Sequence, residues 1–384
     1  MKTRILVFID HYIPGYRFGG PLQSVANLVD HLGDEMNFSI ITRDRDLKDP
    51  TPYPGIRTEI WQRVGKAQVC YLSPDRLTLR TIARLMRETP QDWVYLNSFH
   101  SPRMTVLPLL AMRLGLAPRR PCVLAARGEF SVGALALKAR KKQLFRRITA
   151  LLGLYDPVIW QASSPQEAED IRREMNPKSA NLRAAPNLPR RSSTMPAIHQ
   201  RSPDAPLRIA FLSRISPMKN LGFALQVLAQ VRAPVVFSIF GPREDAAYWR
   251  SCERLIAALP AHIQVEYCGP VEPARVIPVL APHDLFFLPT LGENYGHVIA
   301  EALQAGLPVL LSDQTPWRGL QAKGIGRDLP LGDMAPFAAY IDDLARASAA
   351  EIAQIRRKVA LQAAAIGDVS ATLDANRALF QQAV

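Results

Sequence analysis

The sequence has few cysteines, no long apolar run, and too few acidic residues in its first half to balance the basic ones. Four cysteines occur in 384 residues and none of them is spaced as a pair, which excludes a disulfide-stapled fold and a zinc ribbon. No uncharged apolar run reaches about 18 residues, so a transmembrane helix is not expected. The opening run MKTRILVFID, with no small-residue cleavage site after it, predicts a strand rather than a signal peptide. We therefore expect a cytoplasmic protein.

The basic residues are distributed unevenly. The chain has 47 Lys and Arg against 34 Asp and Glu, a net charge of +13. Residues 1–200 hold 30 basic and 17 acidic side chains, whereas residues 201–384 hold 17 of each. Residues 101–150 alone carry 11 basic residues and one acidic residue. This asymmetry predicts that the first half faces an anionic partner and that the second half does not.

Short apolar runs alternate with helical patterns along most of the chain, which predicts parallel sheets covered by helices on both faces. The Pro-, Ser- and Arg-rich stretch 189–206 interrupts this alternation and predicts a linker. We expect two doubly wound Rossmann-like α/β domains, residues 1–188 and 207–384, facing across a cleft. The last helical pattern, Ser370–Gln382, is placed to pack back on the first domain. Ligands are expected at the carboxyl ends of the strands.

The densest group of candidate functional residues lies in 288–313, LPTLGENYGHVIAEALQAGLPVLLSD. A strand ends near Pro289, and a helix starts near Gly296. A helix N-terminus at a strand's carboxyl end is a natural diphosphate site. Glu293 and Glu301 could hold two hydroxyl-bearing parts of one ligand; alternatively, Glu293 caps the helix and Glu301 is a solvated helical residue.

A second group, SRISPMKN at 213–220, follows the first strand of the second half. Arg214 and Lys219 in this loop could both reach a diphosphate, the arginine through two parallel hydrogen bonds and the lysine as a point charge. The alternative is an ordinary solvated loop that happens to carry two cations.

Together these stretches resemble the retaining nucleotide-sugar glycosyltransferases of family 4, which have the GT-B fold. The resemblance rests on Arg214 and Lys219 in SRISPMKNL and on Glu293 and Glu301 in PTLGENYGHVIAEALQAGLPVLLSD. It continues in the Gly-Gly turn after the first strand and in Pro186-Asn187 at the end of the first domain. It extends over essentially the whole chain, in the correct order.

The resemblance implies a role for each of these residues. Glu293 would contact the hydroxyls of the donor sugar and Glu301 those of the ribose, while Arg214 and Lys219 neutralise the diphosphate leaving group. No metal or other cofactor is then required. The catalytic set would be Arg214, Lys219 and Glu293. The resemblance places the remaining donor-binding positions at Gly19, Gly20, Gly241, Val271, Asn294, Tyr295, Gly296, His297, Val298 and Glu301.

The first half departs from the family pattern. Many relatives have a histidine after the fourth strand, where this chain has Asn97, and His100 follows three residues later. Arg127 stands where relatives have another histidine of the cleft, with Glu129 two residues on. These four residues are the acceptor-side candidates. For Arg127 and Glu129, acceptor or phosphate contacts and an internal salt bridge are both open.

The segment KARKKQLFRR, residues 138–147, carries six basic side chains on a predicted helix that also has apolar positions. Such a helix can lie on anionic lipid, each cation near the surface contributing about 1 kcal/mol; a solvated helix face is the alternative. The membrane-contact candidates are Lys138, Arg140, Lys141, Lys142, Arg146 and Arg147.

The favoured function is retaining transfer of a hexosyl residue from a UDP- or GDP-sugar to a lipid-linked acceptor in bacterial surface-polysaccharide assembly. The enzyme would then attach peripherally to the inner face of the cytoplasmic membrane. Alternatives are a soluble GT-B enzyme with a small acceptor, a nucleotide-sugar epimerase and a silent nucleotide-sugar sensor. A nucleic-acid-binding protein is disfavoured, because the cations lack interleaved aromatic residues and match no RNA or DNA motif.

Overall fold

The computed structural model describes residues 2–131, 135, 139–178, 181–191, 205–366 and 369–381, without the side chains of 139–141 and 364–366. The chain divides into two compact units. Unit 1 comprises residues 1–191 and 369–384, and unit 2 comprises residues 192–368. Most of the predicted linker, 192–204, lies outside the described residues.

Unit 1 is built on an eight-stranded sheet of order β3-β4-β2-β1-β5-β6-β7-β8. Every neighbouring pair is parallel except β3 and β4, which are antiparallel. The strands are β1 Arg4–Phe8, β2 Asn37–Arg43, β3 Trp61–Val64, β4 Ala67–Leu72, β5 Trp93–Asn97, β6 Cys122–Ala125, β7 Val158–Ala162 and β8 Leu182–Ala184.

Helices cover both faces of this sheet, and each face has its own apolar core cluster. Capping residues define where two of these helices begin, because the side chains of Thr78 and Ser164 accept hydrogen bonds from backbone N–H groups of the first turn. A π-helical turn, Pro102–Val106, leads directly into α3. The helices are α1 Gly20–Leu32, α2 Leu79–Glu88, α3 Leu107–Arg113, α4 Ala139–Leu151, α5 Pro165–Met175 and, at the end of the chain, Ser370–Leu379.

The C-terminal helix Ser370–Leu379 packs on unit 1. Asn376 Nδ2 donates to the Pro186 carbonyl at 2.8 Å, and Arg377 pairs with Glu35 at 2.7 Å. Phe380, just after the helix, packs edge-on against the ring of Tyr95. These contacts make the end of the chain part of the first unit.

Unit 2 is a six-stranded, wholly parallel sheet of order β11-β10-β9-β12-β13-β14. Its core is a single cluster that joins the strands to the helices around them. The strands are β9 Leu207–Leu212, β10 Val235–Phe240, β11 Ile263–Gly269, β12 Leu285–Leu288, β13 Val309–Ser312 and β14 Gly326–Leu329. The helices are α6 Leu221–Leu228, α7 Ala246–Ala257, α8 Val276–Leu280, α9 His297–Gln304, α10 Leu320–Lys323, α11 Ala335–Arg346 and α12 Ala349–Ile366.

The predicted fold class, two doubly wound Rossmann-like sheets, is confirmed. Strands and helices alternate along the described chain as predicted. The pattern did not predict the edge strands β3, β8 and β14, because they are short and only partly buried and so lack a clear apolar run. Over the described residues, no helix is long and apolar enough to cross a membrane.

Candidate functional site

The carboxyl edge of the unit 2 sheet gathers most of the predicted donor residues. Arg214 and Lys219 follow β9, Gly241 follows β10, Val271 follows β11, and Glu293 follows β12. Because all six strands are parallel, these loops emerge at one edge, which is where open α/β sheets bind ligands.

Lys219 and Glu293 form the central contact of this edge. Lys219 Nζ lies 2.5 Å from Glu293 Oε2, and the two side chains are 12% and 17% exposed. Backbone contacts hold their loops together, since Leu291 N donates to the Met218 carbonyl at 2.9 Å and Asn220 Nδ2 donates to the Pro289 carbonyl at 3.0 Å. The sequence did not predict that Lys219 and Glu293 contact each other.

Arg214 is also paired with a carboxylate. Its Nη1 lies 3.1 Å from Glu244 Oε2, at a more exposed position than the Lys219–Glu293 pair. Sequence reasoning missed Glu244, although its place just after the end of β10 was a usable signal. Both predicted leaving-group cations thus have acidic partners. A bound diphosphate would either share the cations with these carboxylates or displace the carboxylates.

Gly296 sets the start of α9 beside this pair. Its φ of +78° is in the left-handed region. A Cβ there would lie 2.6 Å from Ile299 Cδ1 and 3.0 Å from Glu293 Cγ, so the φ favours glycine and a larger residue would also have to displace these side chains. Trp317 Nε1 donates to the Tyr295 carbonyl at 2.6 Å and fixes the preceding loop. The loop therefore places the N-terminal N–H groups of α9, around His297 and Val298, next to Glu293 and Asn294.

The two glutamates occupy different environments. Glu293 lies in the loop before α9, and its carboxylate contacts Lys219. Glu301 is buried in α9, 7% exposed, so the alternative that it is a solvated helical residue is wrong. Burial, with a smaller contribution from the charge of Glu301, raises the pKa of Tyr295. Glu293 is therefore partly buried in the loop, and Glu301 is enclosed in the helix.

Gly241 is fixed by close backbone packing. Its φ is +127°, and a Cβ would lie 1.8 Å from the Ser213 carbonyl oxygen. Gly241 N donates to the Gly269 carbonyl at 2.8 Å, and Tyr267 Oη donates to the Gly241 carbonyl at 2.9 Å. Arg243, two residues after Gly241, stacks on Tyr267, with its guanidinium carbon 3.9 Å from the ring centroid. The sequence did not predict this contact.

The acceptor-side candidates lie together at the carboxyl edge of the unit 1 sheet, but not as an Arg127–Glu129 pair. Arg127 Nη2 donates to Asn97 Oδ1 at 2.6 Å. Glu129 instead contacts His100, whose Nδ1 is 2.8 Å from Glu129 Oε2. The backbone N–H groups of Phe99 and His100 also donate to Glu129 Oε2, and Ser98 Oγ donates to Oε1. Glu129 therefore fixes the loop after β5.

The glycine turn of unit 1 has one conformationally demanding position. Gly19 has φ +71° and caps α1, whereas a Cβ on Gly20 would meet open space. Asp46 anchors the preceding loop, because its Oδ2 accepts from Tyr16 N at 2.9 Å and Arg17 N at 3.1 Å.

The chain's Asp-x-Asp sequence, Asp44-Arg45-Asp46, is used structurally. Asp46 anchors the loop that precedes α1. Asp44 forms an ion pair with Arg45, the residue between the two aspartates, at 2.8 Å. Among the described residues, no group of three or more His, Cys, Asp or Glu side chains is arranged to hold a metal ion.

The predicted membrane segment is partly described. Lys138 and the side chains of Arg140 and Lys141 lie outside the described residues, and Arg147 is exposed. Arg146 is instead paired with Glu174 at 2.5 Å. The apolar positions predicted for this helix include an exposed apolar stripe: Leu144, Ile148 and Leu151 are 61%, 50% and 89% exposed.

Part of unit 2 is similar to known glycosyltransferases. Residues 206–347, within unit 2, match the family model described as Glycosyl transferases group 1. Over 124 residues the chain is 31% identical to D-inositol 3-phosphate glycosyltransferase of Nocardia farcinica. That match covers 29% of this chain and 26% of the relative, so the chain spans about a quarter of the length of this curated protein.

Solved structures show the fold over nearly the whole chain. HepE of Anabaena in complex with UDP-glucose superimposes with a TM-score of 0.69 at 16% identity, covering 98% of each chain. Sucrose-phosphate synthase of Thermosynechococcus elongatus gives a TM-score of 0.68 at 16% identity, covering 99% and 98%. WaaG, a glycosyltransferase of lipopolysaccharide biosynthesis, gives 0.62 at 11% identity, covering 98% of each. The protein has the GT-B fold.

Proposed function

We propose that this protein is a retaining glycosyltransferase that moves a hexosyl residue from a UDP- or GDP-linked donor to a lipid-linked acceptor. The observation that carries the proposal is the Lys219–Glu293 contact of 2.5 Å beside the N-terminus of α9, within the region that matches the glycosyltransferase family model. The UDP and UDP-glucose complexes of the structural neighbour HepE support a nucleotide-sugar donor.

In the proposed reaction, the bond between the sugar's anomeric carbon and the diphosphate oxygen breaks. The acceptor oxygen bonds to the same face of that carbon, and its proton leaves with the diphosphate. Negative charge grows on the departing diphosphate, and fixed cations and helix-end N–H groups lower the barrier by stabilising it. Lys219, Arg214 and the start of α9 would supply this stabilisation without a metal ion.

Glu293 would hold the donor sugar through its hydroxyls. Lys219 has three N–H donors, so it can keep its contact with Glu293 while it binds phosphate oxygens. The pair would thus join the two halves of the donor, the sugar and the diphosphate. Glu301, enclosed in α9, would bind the ribose.

The lipid-linked acceptor and peripheral attachment to the inner face of the membrane form the second part of the proposal. They are supported by the exposed apolar stripe of α4, formed by Leu144, Ile148 and Leu151, together with the basic side chains of the same segment. An amphipathic basic helix of this kind binds in the interface of an anionic bilayer. The involvement of the neighbour WaaG in lipopolysaccharide biosynthesis points the same way.

A panel of labelled UDP- and GDP-sugars, incubated with the full chain and a lipid-linked saccharide extract, tests the proposal. The expected result is release of a nucleoside diphosphate with an axially linked product from an axial donor, unaffected by EDTA. The proposal would be contradicted by a product with inverted anomeric configuration, by loss of transfer in EDTA, or by an epimerised donor sugar without transfer. Transfer to a soluble sugar alone would support the small-acceptor alternative.

A further inference from the structure

Arg127 occupies a turn whose backbone disfavours any residue with a Cβ. Its φ is +56° and that of Gly128 is +78°, and Glu129 N closes the turn on the Ala126 carbonyl at 3.1 Å. Turns with positive φ at both central positions select glycine or asparagine. An arginine held there indicates a use for its side chain.

The guanidinium of Arg127 is held by uncharged groups. Nη1 donates to Asn187 Oδ1 at 2.6 Å, and Nη2 donates to Asn97 Oδ1 at 2.6 Å and to Tyr95 Oη at 2.7 Å. These partners follow or lie on β5 and β8 and are almost fully buried. The cation is therefore rigidly positioned at the carboxyl edge of the sheet.

A further layer of hydrogen bonds orients these acceptors. Tyr95 Oη donates to Gln161 Oε1 at 2.6 Å, so its lone pair is available to Arg127. Gln161 in turn donates from Nε2 to the Ala185 carbonyl at 2.9 Å. The network supplies oxygen acceptors to the guanidinium but no negative charge.

The neighbouring carboxylates are bonded elsewhere. Glu129 binds the loop 98–100, and Glu167 accepts from Gly128 N at 2.6 Å and from Ser163 N at 2.8 Å. In the part of the chain that the structure describes, Arg127 has no carboxylate within ion-pair distance, and its buried Nε has no hydrogen-bond partner. A partly buried cation without a counter-charge is costly to maintain.

We propose that Arg127 binds a phosphoryl group of the acceptor at the carboxyl edge of unit 1. Arginine suits this task because its guanidinium is permanently charged, and one Nη1 N–H remains for a phosphate oxygen after the bonds to Asn187, Asn97 and Tyr95. The phosphoryl group could belong to a lipid-linked diphosphate or to a soluble sugar phosphate, which have this chemistry in common. This inference rests on the proposed function and deepens it by naming the chemistry of the acceptor.

Inorganic pyrophosphate, titrated into the full chain with its donor side saturated by UDP or GDP, is the probe. We expect saturable binding and a concentration-dependent rise in melting temperature. Arg127→Gln should weaken the pyrophosphate affinity at least about tenfold, the range of a charged hydrogen bond. Arg80→Gln, at an exposed position of α2, is the charge-matched control and should leave the affinity unchanged.

Several results would overturn the inference. These are wild-type pyrophosphate affinity in Arg127→Gln, no pyrophosphate binding beside the nucleotide, or a loss confined to UDP and GDP binding. If Arg127→Gln fails to fold, Arg127→Lys keeps the charge without the fork and should weaken pyrophosphate several-fold; unchanged affinity contradicts the proposal.

Separate UDP and GDP titrations distinguish failure of the Arg127 inference from failure of the donor assignment, because they report on nucleotide binding alone. An Arg127-dependent KM for a lipid-linked diphosphate or for a soluble sugar phosphate identifies the source. If the KM of neither acceptor changes when Arg127 is substituted, the inference is contradicted.

Discussion

Each of the two sheets presents cations at its own carboxyl edge, but the charges of these cations are balanced differently. In unit 2, Lys219 and Arg214 are each paired with a carboxylate, Glu293 and Glu244. In unit 1, Arg127 is held by amide and hydroxyl oxygens, and its described contacts include no carboxylate. Similar topology therefore supports one edge whose charges are paired and another with a fixed positive charge.

The difference separates two ways of binding a phosphorylated ligand. In the proposed donor complex, a diphosphate at the unit 2 edge would share Lys219 with Glu293, and Glu293 would hold the sugar as well. At the unit 1 edge, an anion meets a cation whose position is already set, so little reorganisation is needed on binding. The first arrangement suits a reacting group, and the second suits an anchor.

The largest expected effect is at Lys219. Lys219→Ala should lower transfer by about two to three orders of magnitude, because one charge-stabilising donor is worth roughly 3–4 kcal/mol in the transition state. Steady-state kinetics with the labelled donor measures it. Arg275→Ala, at an exposed site of unit 2, is the control, and near-wild-type transfer by Lys219→Ala would remove the lysine from the mechanism.

A smaller effect should separate the two glutamates. Glu301→Ala should weaken nucleoside diphosphate binding about tenfold or more, whereas Glu293→Ala should leave it nearly unchanged and impair use of the nucleotide sugar. Calorimetry with both ligands measures the split, with melting temperatures to confirm folding. Equal losses of nucleoside diphosphate affinity in the two variants would contradict the division of roles.

Membrane attachment should depend on both charge and apolar surface. Lys138, Arg140, Lys141 and Lys142 changed together to Gln should sharply reduce co-sedimentation with anionic liposomes, because each cation contributes about 1 kcal/mol. Changing Leu144, Ile148 and Leu151 to Ser should remove the fraction that persists at about 1 M salt, where charge is screened beyond about 3 Å. Binding to neutral liposomes that neither variant alters would show that α4 is not the docking surface.

The smallest expected effect is at Glu129. Glu129→Gln keeps one acceptor oxygen but loses the charge that fixes residues 98–100, so transfer should fall by about tenfold or less through a raised acceptor KM. Donor affinity should stay unchanged, as measured by calorimetry. A loss of donor affinity instead would place this loop on the donor side.

The sequence predicted the alternating architecture and the gathering of Arg214, Lys219 and Glu293 at the carboxyl edge of the unit 2 sheet, because both follow from where the strands end. Apolar runs specify buried parallel strands, and the glutamate and lysine positions stand at strand ends where the topology brings them together. The start of α9 near Gly296 was predicted in the same way, from the turn and helical pattern that follow a strand, and the structure shows this glycine at a φ of +78°.

The pairings were beyond the sequence because they depend on side chains far apart in the chain. Lys219 meets Glu293 across 74 positions, and Arg127 meets Asn187 across 60. Composition gave the surplus of cations in residues 101–150 but not their partners, so the Arg146–Glu174 pair was not predicted. Edge strands were missed because partial burial leaves no continuous apolar run.

The most direct test of the account is titration of UDP and GDP into the full chain, Lys219→Ala and Arg127→Gln. The account predicts that one of the two nucleotides binds the wild-type chain at a single site. Its affinity should fall at least about tenfold in Lys219→Ala, the range of a charged hydrogen bond, and should be unchanged in Arg127→Gln. Binding of neither nucleotide, or a loss in Arg127→Gln with none in Lys219→Ala, would contradict the assignment of the donor to unit 2.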